Sequence, residues 1–126
     1  MRYFDGFVLS IPKKKLAAYK RLARLASKVW IECGALEYVE SAGEDLAAPC
    51  GVPFPELART RRGETVVFAW ISYRSRAHRD RVNARVMKDP RMLATMSKGP
   101  MPFDMARMSY GGFKGLVEAS AKRAKR

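Results

Sequence analysis

The chain has 126 residues, 48% of them hydrophobic, which suits one domain with a packed core. Its longest apolar run, "VVFAWI" at 66–71, is far shorter than a bilayer span, and an acid and a glycine interrupt "MRYFDGFVLS" where a signal peptide needs apolar residues, so a soluble, cytoplasmic protein is expected. A net charge of +13 predicts attraction to polyanions, while two cysteines and one histidine point to no disulfide framework, no metal site and no cofactor.

The segment "RYFDGFVLS" (2–10) is rich in aromatic and β-branched residues and stops short of Pro12, so it reads as a first strand. Along 13–33, Leu16, Tyr19, Ala23, Ala26, Trp30 and Cys33 recur at spacings of three and four, which places them on one face of a helix. Leu22 and Val29 widen that face, Lys20, Arg24 and Lys28 form a row of like charge opposite it, and Gly34 supplies the stop. "ALEYVES" (35–41) alternates as a second strand. From 42 to 63 the glycines and prolines predict a long irregular connection, pinned to the body by Phe54.

"ETVVFAWISY" (64–73) reads as the third strand. Ser75 caps a helix running to about residue 88, which carries Ala77, Val82, Val86 and Met87 toward the core. Asp89 and Pro90 open a short helix that ends near residue 96. "RMSYGGFKGLVE" (107–118) reads as the fourth strand, which closes a single domain of 1–118 and leaves 119–126 as a basic, poorly ordered tail.

The order β-α-β-β-α-β predicts a ferredoxin-like α+β fold, an antiparallel sheet with both helices on one face. The third strand is apolar on both sides, with Val66, Phe68 and Trp70 opposing Val67, Ala69 and Ile71. Setting the small aliphatics beneath the helices leaves Tyr3, Phe7, Phe68 and Trp70 on the open side, a patch at or above what a soluble monomer normally tolerates. A second copy packed sheet to sheet is the expected cover, making a homodimer of the dimeric α/β-barrel type. Gly111 and Gly112 then read as a bulge or a close approach of another backbone, rather than as a phosphate cradle.

Several segments together resemble the YbaA-like bacterial family, domain of unknown function 1428: "YFDGFV" (3–8), "GALEYVE" (34–40), "ETVVFAWISYRSRAHRD" (64–80), "MKDPRM" (87–92) and "MPFDMARMSYGGF" (101–113). The resemblance implies the same dimeric α/β-barrel fold and brings no reaction with it. The chain departs from the family pattern in 41–62, where it is richer in proline.

Candidate chemistry centres on Asp5. On the parity above it points between the facing sheets, where desolvation makes a carboxyl a general acid or base; the alternative is a structural carboxylate satisfying backbone amides beside Gly6. Asp104 and Arg107, beside Tyr110, either orient a small anionic or carbonyl ligand or form an ion pair fixing their own turn. Glu37 and Glu40 fall on opposite strand faces and cannot act together, and His78 is expected at the surface. The leading reading is a ligand site formed by Tyr3, Asp5, Phe68, Trp70, Asp104, Arg107 and Tyr110, taking a small, largely apolar molecule, with or without cofactor-independent chemistry. The alternative is non-specific, electrostatic RNA binding by the basic helices and tail, since "RGETVVFAW" (62–70) only begins like an RNA-recognition strand.

Overall fold

The computed structural model describes residues 1–121; the rest of the expected basic tail, 122–126, lies outside the described residues. Strand β1 (Tyr3–Pro12) leads through a single 3-10 turn into helix α1 (Leu16–Glu32). Strand β2 (Glu37–Ala42), a four-residue helix α2 (Phe54–Leu57) and strand β3 (Glu64–Tyr73) follow. Helices α3 (Arg76–Met87) and α4 (Pro90–Met96) precede the last strand, β4 (Ser109–Lys114). The result is a mixed α+β protein with one four-stranded sheet in the order β2-β3-β1-β4, every neighbouring pair antiparallel. No helix among the described residues is long and apolar enough to cross a membrane.

Local chemistry sets the boundaries. At φ +118°, Gly34 takes the left-handed turn that ends α1, a conformation costly for a side chain with a Cβ. Ser75 Oγ accepts the His78 amide at 3.1 Å to open α3, and Asp89 Oδ1 accepts the Arg91 amide at 2.8 Å to open α4. Both caps stand where the sequence places them. Lys20, Arg24 and Lys28 are all exposed on the outer side of α1.

The core lies between the helices and one face of the sheet. Ala26 and Val29 of α1 meet Val82 and Val86 of α3 over Ile71 and Tyr73, while Tyr19 packs on Leu9, Ile11 and Val67. The register makes that face the odd-numbered one on both central strands, since Tyr3 pairs with Tyr73, Asp5 with Ile71 and Phe7 with Ala69. This corrects the expectation for β1: Tyr3, Asp5 and Phe7 point toward the helices, not toward the open side. A strand apolar on both faces carries no internal mark of which face is inward, and pairing with β3 decides it.

The open side is nevertheless aromatic. Phe4 meets Trp70 edge to face at 6.2 Å, and Phe68 and Phe113 are 47% and 62% exposed. Phe54 of α2 reaches over to 6.4 Å from Phe68, and Ser10 Oγ donates to the Ala58 carbonyl at 3.2 Å, so the long connection covers one corner of this face. Phe54 pins it as expected.

The paired glycines of β4 form no bulge: Gly111 sits opposite Gly6 and Gly112 opposite Asp5 in unbroken register. What comes close is a side chain and not a backbone. A Cβ at Gly112 would lie 2.9 Å from the Tyr3 ring, whereas one at Gly111 would meet only ordinary contact at 3.9 Å from Phe113.

Candidate functional site

Small side chains leave part of the space between α1 and the sheet unfilled. Ala23 and Ala26 on the helix stand over Ala69 on β3, and a half-open cavity of about 390 Å³ remains between the two layers. Phe7, Leu9 and Ile71 form its floor, and Met92, Met96, Met101, Met105, Met108 and Phe103 form much of its outer wall. The volume falls in the range of small-molecule sites, and methionine walls adapt to irregular shapes.

Two polar groups enter this apolar space. The first is built on Asp5, only 6% exposed. Arg79 Nη1 on α3 donates to Asp5 Oδ1 at 2.5 Å, and the Tyr73 hydroxyl donates to Oδ2 at 3.2 Å. Arg79 also donates to Asp80 at 2.8 Å and lies 5.0 Å above the Tyr3 ring, a cation–π contact. Beside them Trp30 Nε1 donates to Asn83 Oδ1 at 3.1 Å. Burial, and then the Asp5 charge, push the Tyr73 phenol above its ordinary range, so it stays a donor.

The second group is built on Glu40 of β2. Its carboxylate accepts from the hydroxyl of Tyr19 at one oxygen and from that of Tyr38 at the other, the latter at 2.6 Å. Burial and the neighbouring Glu40 raise both phenols well above the ordinary tyrosine range. They remain neutral donors.

At the rim, Arg107 holds the methionine-bearing segment to the sheet. Its fork donates to Glu64 Oε1 at 2.8 Å and Oε2 at 2.7 Å, and it reaches Asp104 Oδ2 and the Arg59 carbonyl, each at 3.0 Å. The guanidinium pulls the Glu64 carboxyl down to about 2.

The seven candidate site residues therefore fall in three places. Asp5 and Tyr110 line the cavity, Tyr110 stacked on Phe7 at 6.0 Å, and Tyr3 stacks beneath Arg79. Phe68 and Trp70 lie on the opposite face of the sheet and do not join them. Asp104 and Arg107 are the rim ion pair that fixes the turn, now shared with Glu64. Asp5 accepts from Arg79 and Tyr73 and, among the described residues, not from the backbone amides beside Gly6. His78 is buried, not exposed: Nδ1 accepts the Arg74 amide at 2.9 Å, and burial followed by the charges of Arg74 and Arg81 lowers its pKa.

Glu40, Tyr38, Tyr19, Arg79 and Asn83 are site residues that the sequence pattern does not single out. Tyr38 and Glu40 share a strand face and Tyr19 lies on the α1 stripe, a signal that was present once the inner face was known.

Fold and site together define an α+β protein that keeps a ligand-sized, mostly apolar cavity between its sheet and its helices. The chain belongs to a family of proteins of unknown function, DUF1428, whose model matches residues 2–105. Over 118 residues it is 39% identical to the uncharacterized protein YbaA of Escherichia coli strain K12, which covers 94% of this chain and 99% of that relative. The YbaA proteins of Escherichia coli O157:H7 and Shigella flexneri match to the same extent.

Proposed function

We propose that the protein binds a small, largely apolar molecule in the cavity between α1 and the sheet, rather than between two facing sheets. The observation that carries this reading is a space of about 390 Å³ with apolar walls and hydrogen-bonding groups gathered on Asp5 and Glu40. A core free to close would not leave it, since interiors pack to near crystal density. A thermal-shift screen of small apolar compounds tests it. Compounds that raise the melting temperature should lose their effect in Ala23→Trp, which fills the cavity from the half-buried side of α1; shifts that persist in that variant overturn the site.

The strand order β2-β3-β1-β4, with α1 and α3 on one face, favours a ferredoxin-like arrangement. The aromatic open face of Phe4, Phe68, Trp70 and Phe113 favours a second copy as its cover and hence a dimeric barrel. The dimer would leave each cavity on the far side of its own sheet. The exposed row Lys20, Arg24 and Lys28 supports a second reading, salt-sensitive contact with nucleic acid. Binding to unrelated RNAs that vanishes at moderate salt is its expected signature; a sequence preference surviving salt contradicts it.

A further inference from the structure

Two carboxylates face the cavity, and they differ in what offsets their charge. Asp5 is paired with Arg79, whose own charge is shared with Asp80. Glu40 receives hydrogen bonds from two neutral phenols, and no Lys, Arg or His among the described residues lies within ion-pair distance of it. Each of its oxygens spends one acceptor position on a tyrosine and keeps another. A half-buried carboxylate with acceptor positions to spare and no cation beside it offers a charge-assisted hydrogen bond to a cation brought by a ligand.

The neighbouring rings point to the same partner. Trp30 lies 6.0 Å from Tyr38, and Phe103 meets Tyr19 edge to face at 5.7 Å, so four aromatic side chains surround the carboxylate end of the cavity. Aromatic faces attract organic cations, most strongly when water is excluded. Arg79 does not oppose this, being engaged by two carboxylates.

Building on the cavity as the ligand site, we propose that it selects an organic ammonium: an amine with an apolar body, its charged nitrogen on the Glu40 carboxylate between Tyr19 and Tyr38. The body lies along Ala69 and Ala23 toward the methionine wall, whose flexible side chains accept more than one shape. Anionic compounds of the same size are rejected, since they would meet Glu40 unpaired.

Three probes of similar size and different charge test this by calorimetric titration: 2-phenylethylammonium, 2-phenylethanol and phenylacetate, the last as the anionic member. The ammonium is expected to bind at least about tenfold more tightly than the alcohol, as a charge-assisted contact does, with the phenylacetate weakest. In Glu40→Gln the ammonium should fall to the level of the alcohol, while the alcohol keeps its affinity. Should that variant fail to fold, the charge series on the wild-type protein alone decides. An alcohol or phenylacetate affinity equal to or tighter than that of the ammonium overturns the proposal, as does a preference that survives Glu40→Gln. If all three bind alike and Ala23→Trp abolishes them, the cavity stands as a ligand site and the ammonium selection falls; if none binds, both fall.

Discussion

Replacing Glu64 by Gln isolates the ion pair that ties the methionine-bearing rim to the sheet. Arg107 and Glu64 side chains are 8% and 10% exposed and meet through two parallel hydrogen bonds of 2.8 and 2.7 Å. The drop of the carboxyl from its ordinary 4.5 to about 2, the net of Arg107 and Arg61 against desolvation, corresponds to about 3 kcal/mol of pH-linked stability before solvent screening. Water reaches the cluster from the exposed Asp104 side, so the expected loss in Glu64→Gln at pH 7 is smaller, about 1–2 kcal/mol, or roughly 4–8 °C in Tm. The sign of the pH dependence follows from the lowered pKa. The unfolded chain takes up the proton first, so this contribution is whole above about pH 4.5 and is lost as pH falls toward about 2. Urea denaturation of both proteins from pH 7 down to pH 2.5 reads the effect: the difference should be largest at neutral pH and shrink through that window. A variant as stable as wild type at pH 7, or a difference that does not change with pH, would mean that the Glu64 charge does not hold the rim.

Other expectations follow from single contacts. Gly112→Ala should cost about 1–2 kcal/mol in chemical denaturation by driving Tyr3 from beneath Arg79, whereas Gly111→Ala should be nearly neutral; equal effects would mean that Tyr3 does not set the requirement. His78 has a lowered pKa, so its contribution is whole above about 6.5 and declines as pH falls below it, a slope that His78→Gln should remove between pH 6.5 and 5 in melting experiments. Phe68→Glu, on the open face of the sheet, should convert a species of about twice 14.2 kDa in light scattering to one of 14.2 kDa; a wild-type protein that is already monomeric would exclude the dimeric barrel.

Much of the architecture was legible where one residue type has one local use. The third strand matches residues 64–73 at both ends, and Ser75 and Asp89 cap the helices that follow them, because a side-chain oxygen at those positions satisfies amides that would otherwise be bare. The stripe from Leu16 to Trp30 was legible through its period. The face of β1 was not. Tyr3, Asp5 and Phe7 alternate with Phe4 and Val8, both sets are apolar enough to be inner, and the antiparallel register with β3 makes the choice. That single inversion moved Asp5 from the proposed dimer interior to the cavity beneath α1, and it hid Glu40. His78 was misplaced for a related reason: flanking arginines suggest a surface, but the side chain turns in to stand edge to face with Tyr73 at 6.0 Å. The cavity itself follows from three alanines opposing one another across two elements, a coincidence of tertiary structure that no local pattern announces.

Crystallographic analysis of the protein bound to the tightest compound from the thermal-shift screen tests the central reading most directly. Ligand density between α1 and the sheet, bounded by Ala23, Ala69 and the Glu40 carboxylate, is the predicted result. Density confined to another surface, with Trp30, Met92 and Phe103 collapsed together to fill the space, would contradict it.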